Sequence, residues 1–129
     1  MRTDHSVRGI VIRNEKILLI HRFKHGNEYW VVPGGGVEDN ETLEEALRRE
    51  IKEETSQEVL EYRLLGKVVQ ETRTQYLYRC ELTEGEVNVG GPEKEEISED
   101  NQYILTWVPV EKMKELKNVY PENLMNFIR

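Results

Sequence analysis

The segment PGGGVEDNETLEEALRREIKEET (Pro33–Thr55) decides how the chain is read. Leu43, Ala46, Leu47 and Ile51 recur at the 3.6-residue period of a helix that buries one face. Thr42, with Glu45 three residues on, forms the sequence pattern of a capping box, so the helix is expected from about Thr42 to Thr55. With Glu50 at zero on a helical wheel, Leu43, Ala46 and Leu47 lie at about 20°, −40° and 60°, and Glu53 and Glu54 at about −60° and 40°. All three glutamates therefore continue the apolar stripe toward the helix C-terminus. Like charges three and four residues apart repel, and the C-terminal end of a helix carries partial negative charge. The alternative is a solvated acidic face, but the wheel places Glu50 on the core side. A divalent cation that prefers oxygen ligands, Mg²⁺ or Mn²⁺, relieves the repulsion. Arg49 borders the same face and suits a forked contact with a carboxylate.

The stretch before this helix is glycine-rich. Pro33 lacks a backbone N–H and Gly34–Gly36 accept angles that other residues resist, so a tight loop with exposed backbone is expected there. Such a loop lets Gly34 and Gly35 approach a substrate or a metal ion, though a glycine cluster after a strand is equally read as an ordinary turn.

Outward from this segment, Val7–Arg13 and Lys16–Phe23 are rich in β-branched and aliphatic residues and are separated by Asn14-Glu15, the pattern of a hairpin. His25-Gly26-Asn27 reads as a turn before a buried strand, Tyr29–Val32. Further strands are expected at Val59–Gln70, Thr74–Leu82 and Tyr103–Val108, with short helices opening at Pro109 and Pro121. Thr83–Asn101, which contains Glu93, Glu95, Glu96 and Glu99, reads as a loop. This order of elements predicts an α/β protein, a sandwich with a mixed β-sheet, in one domain spanning the 129 residues.

The balance of 18 Lys+Arg against 25 Asp+Glu gives a net charge of −7. That field repels nucleic-acid polymers and anionic membranes but not a small anion held through a bound cation. The single cysteine, Cys80, allows no internal disulfide and no multi-cysteine metal site, which fits a reducing, cytoplasmic setting. No apolar run approaches signal-peptide or membrane-span length. A homodimer is left open.

Gly35, Glu41, Arg49-Glu50, Ile51 and Glu53-Glu54 stand at the spacing glycine, five residues, Glu, seven residues, Arg-Glu, aliphatic, any residue, Glu-Glu. In this the chain resembles the Nudix hydrolases, and Pro33-Gly34-Gly35 with Val37-Glu38 is similar to that family's entry to its motif. The resemblance implies an α/β/α sandwich. It also implies Mg²⁺-dependent (or Mn²⁺-dependent) hydrolysis of a phosphoanhydride bond in a nucleoside diphosphate-linked or related small molecule. Glu50, Glu53 and Glu54, with Gly35, would hold metal, and Glu53, Glu54, Glu41 and Arg49 would act in catalysis, Glu53 being the first choice for the base. An additional ligand or base is expected from Glu95 or Glu96. Arg22, Gly34, Gly35 and Glu38 are expected on the substrate side, with Arg8 and Arg79 as lesser candidates. Trp30, Tyr76 and Tyr78 are candidates to stack on a base or simply to fill core. The family usually has glycine and an aliphatic residue where this chain has Ser56 and Gln57, and glycine where it has Asn40. A second reading follows from that departure: a non-catalytic nucleotide sensor or interaction module on the same fold.

Overall fold

In a computed structural model, residues 2–88, 98 and 100–128 are described. The side chains of residues 2 and 3 are not among them, and Glu93, Glu95, Glu96 and Glu99 lie outside the described residues.

The elements are β1 (Arg2–Ile10), β2 (Ile12–Arg13), β3 (Lys16–Lys24), β4 (Asn27–Val31), β5 (Gly34–Glu38), α1 (Leu43–Thr55), β6 (Val59–Val69), β7 (Thr74–Leu82), β8 (Asn101–Pro109) and β9 (Val119–Tyr120). Two 3-10 turns, Val110–Glu115 and Leu124–Phe127, stand where the short C-terminal helices are expected. One sheet runs in the order β5-β1-β7-β6 and the other β2-β3-β4-β9, with β8 paired to β3. Both are mixed, since β1 is antiparallel to β5 but parallel to β7, and β4 is antiparallel to β3 but parallel to β9. The α/β class with mixed sheets is as the sequence predicts.

Burial explains the layering. Alternate side chains of a strand point to opposite faces. In the run Ile17-Leu18-Leu19, Leu18 joins one core with Val7, Val11, Ala46, Leu47, Ile51 and Cys80. Ile17 and Leu19 join a second core with Ile10, Leu77, Val108, Met113 and Leu124. The helix α1 covers the first core and the 3-10 turns cover the second. The apolar runs of β1 and β3 are thus buried on both faces, which is why they alternate so weakly in sequence. Leu47 and Ile51 are fully buried, and each contributes roughly 1.5–3 kcal/mol relative to exposure.

Three expectations are corrected. The hairpin across Asn14-Glu15 is short, because only Ile12 and Arg13 pair with β3, at Ile17 and Lys16. Asn14 and Glu15 both adopt positive φ, 50° and 64°, the geometry of a tight two-residue turn. Beyond it β1 diverges into the other sheet, where β5 and β7 hold its two edges.

The expected glycine loop is instead strand β5, with Gly34, Gly35 and Gly36 opposite Arg8, Val7 and Ser6. Glycine is demanded here by close approach rather than by a turn. A Cβ on Gly34 would meet the Val7 carbonyl oxygen at 2.0 Å, and one on Gly35 would meet Glu50 Oε2 at 2.5 Å. Likewise Tyr29–Val31 is only half-buried, although Val32 beyond it is fully buried.

Cys80 is 2% exposed in the first core. Burial pushes its thiol up from an ordinary 9.0 to about 12, so its neutral form contributes stability below the unfolded value that is lost as pH rises through about 12. Folded protein at mildly alkaline pH is therefore expected to resist thiol-specific labelling, with the rate rising to that of a free cysteine across the urea transition. Fast labelling of native protein would place Cys80 outside the core.

Candidate active site

The capping box of α1 is complete. Thr42 Oγ1 accepts from the Glu45 N–H at 3.1 Å and Glu45 Oε1 accepts from the Thr42 N–H at 2.8 Å. This fixes the start of the helix, while Ala46, Leu47 and Ile51 fix its rotation against the sheet. Glu50 and Glu54 are then carried to the buried side, at 2% and 6% exposure. Glu53 is half-buried, its side chain 27% exposed.

Arg49 organises these acids. Its Nε and Nη2 donate to the two carboxylate oxygens of Glu41 at 2.6 and 2.7 Å, a forked contact across eight residues. Nη1 donates to Glu50 Oε1 at 2.8 Å and lies 3.6 Å from Glu53 Oε2, and Nη2 also reaches the Gly36 carbonyl at 3.0 Å. Hydrogen bonding to Glu41, and then to Glu50, holds the guanidinium pKa well above its usual range. Glu41 is itself oriented by the Glu38 N–H, which donates to Oε1 at 2.9 Å. On the far side of the helix turn, Glu54 Oε1 accepts from the Gly34 N–H at 2.6 Å. The glycine strand and the acidic helix end are therefore one unit, linked by the Gly34 N–H and packed so closely that a Cβ at Gly35 would collide with Glu50.

A cleft of about 230 Å³ opens beside this unit, lined by Arg8, Arg22, Tyr29, Gly34, Gly35, Glu50, Glu54 and Tyr103, with Ile20 and Val31. Two arginines thus face two glutamates. Arg8 donates through Nη1 to the Val32 carbonyl and through Nε to Gln75 Oε1, both at 3.0 Å. Burial lowers its pKa, and Glu54 and Glu50 oppose that shift. Arg22 is held by the Gln102 carbonyl at 3.1 Å and by Asn101 Oδ1 at 2.5 Å. Its guanidinium lies 3.6 Å from the ring centre of Tyr103 and 5.7 Å from that of Tyr29.

The structure thus brings Arg22, Gly34, Gly35, Glu50 and Glu54 into one cleft. Glu41, Arg49 and Glu53 adjoin through the ion-pair network, and Glu38 contributes its backbone. Among the described residues no group of three or more acidic, histidine or cysteine side chains is arranged to hold a metal ion. Glu50 and Glu54 line the cleft, and Glu53 stands next to them with Oε2 3.6 Å from Arg49 Nη1. Arg79 lines a different groove, with Ile12, Lys16 and Val110. Trp30 stacks on His21, ring centres 3.8 Å apart, and packs against the second core. Tyr76 and Tyr78 belong to the first core. Tyr29 and Tyr103 were missed by sequence reasoning; only their pairing opposite Arg22 on adjacent strands brings them together.

Comparisons with known proteins agree with this fold. The profile of the NUDIX domain matches residues 3–127. The chain belongs to the NUDIX family. It is 39% identical over 59 residues to an RNA pyrophosphohydrolase of Marinomonas sp. (strain MWYL1), a match covering 46% of this chain and 37% of that protein. It is 28% identical over 141 aligned positions to an RNA pyrophosphohydrolase of Aliivibrio fischeri (strain MJ11), covering 92% of this chain and 82% of the relative. A MutT NUDIX hydrolase from Burkholderia pseudomallei superposes with a TM-score of 0.68 at 26% identity, covering 86% of each chain.

Of the three positions that depart from the family pattern, Ser56 and Gln57 are both hydrogen-bonded through their side chains. Ser56 takes the left-handed conformation, φ 65° and ψ 14°, that glycine usually supplies at a helix end. Its Oγ donates to the Asn88 carbonyl at 2.7 Å, while the Asn88 N–H donates to the Thr55 carbonyl at 2.8 Å. Gln57 Nε2 donates to the Glu86 carbonyl at 2.7 Å, and Thr83 Oγ1 donates to Gln57 Oε1. The helix exit is thus strapped to the 83–88 segment. Ser56→Ala, which keeps the backbone strain and loses the bond, is expected to lower stability by about 1 kcal/mol. Ser56→Gly, which loses the bond but relaxes the backbone, should stay within about 0.5 kcal/mol of the parent in urea unfolding. A larger loss for glycine than for alanine would contradict this reading.

Proposed function

We propose that the chain is a metal-dependent hydrolase of a phosphoanhydride bond in a nucleoside diphosphate-linked or related small molecule. The observation that carries this is the cleft in which Glu50 and Glu54 face Arg8 and Arg22. Carboxylates on one wall suit a hard cation; guanidinium groups on the other suit phosphate oxygens.

Mg²⁺ or Mn²⁺ fits the donor set by chemistry, because all the candidate ligands are oxygens and Mg²⁺ needs only a few from protein. Glu50, Glu54 and Glu53, with Gly35, would hold it. When bound, such an ion supplies neutralisation of the diphosphate oxygens and a water of lowered pKa. The remaining work falls to the chain. Arg49 orients Glu50 and stands beside Glu53, the Gly34 N–H fixes Glu54, and Arg22, stiffened by Tyr103, meets phosphate. Glu41 has both oxygens committed to Arg49 and one to the Glu38 N–H, so its role is to position Arg49. Glu53, the more accessible of the helix acids, is assigned as the base that takes a proton from the attacking water during in-line displacement. A contribution from Glu95 or Glu96 remains part of the proposal. The sensor alternative loses its motivation, since Ser56 supplies the left-handed helix exit without glycine.

The substrate is proposed to be a soluble nucleotide rather than a polymer, given the net charge of −7. The names of the relatives make a 5′-triphosphorylated RNA the second substrate to test. Among the described residues no helix is long and apolar enough to cross a membrane.

Incubating the protein with Mg²⁺ and a panel of nucleoside triphosphates, dinucleotides, nucleotide sugars and a 5′-triphosphorylated RNA is expected to release phosphate or pyrophosphate-bearing products from at least one small nucleotide. Glu53→Gln and Glu54→Gln should each reduce that turnover by about a hundredfold or more with an unchanged circular dichroism spectrum. No turnover of any panel member, or full activity in both variants, would overturn the proposal.

A further inference from the structure

Strand β6 ends the sheet order β5-β1-β7-β6, so one of its edges pairs with β7 and no described strand pairs with the other. The Val59 carbonyl accepts from Arg48 Nη1 at 2.7 Å; beyond it this eleven-residue strand presents an edge to which no described strand is paired, long for a soluble protein because edge N–H and C=O groups template association. The usual protections are weak here. The irregularities in pairing with β7 fall at Val59/Glu61 and Leu64/Gly66, which leaves Glu61–Leu64 as a regular run. Leu60, Tyr62 and Leu64 stand exposed there at 59%, 38% and 54%, alternating with the exposed Glu61 and Arg63.

The order of residues in this run is self-complementary. Two antiparallel copies related by a two-fold axis at Tyr62 place Leu60 opposite Leu64 and Glu61 opposite Arg63, each pair occurring twice. Sliding by two residues in either direction, the smallest shift that preserves side-chain facing, puts Glu61 opposite Glu61 or Arg63 opposite Arg63. Opposite charges directly across an antiparallel pair stabilise and like charges destabilise. One register is therefore selected over its neighbours, and apolar and charged pairs agree on it.

We propose that the β6 edge is an interaction surface whose partner is a second copy of this chain, joined through Leu60–Leu64 into a continuous eight-stranded sheet. The surface lies outside the cleft and does not depend on the hydrolase reading. The paired Glu61 and Arg63 offset the repulsion between two chains that each carry −7 and fix the register.

Sedimentation velocity of the full chain, from micromolar to several hundred micromolar, tests this. The parent protein is expected to show a concentration-dependent dimer. Arg63→Glu and Glu61→Arg, both surface changes, should each weaken it by about tenfold or more, and the double exchange E61R/R63E should restore it. A parent protein that stays monomeric over the range overturns the proposal. So does a dimer unaffected by the single changes, or single changes that weaken it without recovery in the double exchange.

Discussion

Arg49 and the acids around it are the constraint on which the site depends. Three glutamates on the buried stripe of one helix would repel one another, and the dry side of a helix end is an unfavourable place for negative charge. The guanidinium meets this with one planar group. It forks onto Glu41, reaches Glu50, stands beside Glu53 and ties the whole to the Gly36 carbonyl of β5. Lysine has neither the fork nor the number of donors to do the same. The glycine strand is the complement of this arrangement. It lies close enough that a Cβ at Gly35 would collide with Glu50, and its Gly34 N–H supplies the fixed donor to Glu54. A charged helix face can be buried here because the strand opposite is almost entirely backbone.

The same two-sided logic extends to the cleft. The helix supplies carboxylates, whereas β1 and β3 supply Arg8 and Arg22 from the other wall. Neither arginine is left to wander. Gln75 and the Val32 carbonyl hold one, while Asn101, the Gln102 carbonyl and the Tyr103 ring hold the other. Groups whose orientation is set before a ligand arrives lose less on binding than mobile ones. At the helix exit, Ser56 and Gln57 tie the last turn, which bears Glu53 and Glu54, to the 83–88 segment.

Helix α1, its capping box and the burial of Glu50 and Glu54 were legible in the sequence because they rest on local periodicity. What was not legible rests on pairing between distant segments. Gly34–Gly36 reads as a loop by propensity and becomes a strand only because β1 lies alongside it. Val7–Arg13 reads as half of a hairpin and instead crosses into the other sheet after Ile10, since both its faces can be buried. Tyr29 and Tyr103 drew no notice because their meeting beside Arg22 follows from the pairing of β3 with both β4 and β8, and Arg8 looked secondary because only the pairing of β1 with β5 sets it opposite Gly34. A forked contact of Arg49 with a carboxylate was expected, but that Glu41, eight residues away, is the partner that takes both arms follows only from the folded turn before the helix.

Titrating Mn²⁺ into the protein, with bound ion followed by electron paramagnetic resonance together with the thermal midpoint, tests most directly whether the helix acids hold a cation. Saturable binding accompanied by a rise in the midpoint is expected for the parent chain, with both effects lost in Glu50→Gln. Equal binding and equal stabilisation in Glu50→Gln would contradict it.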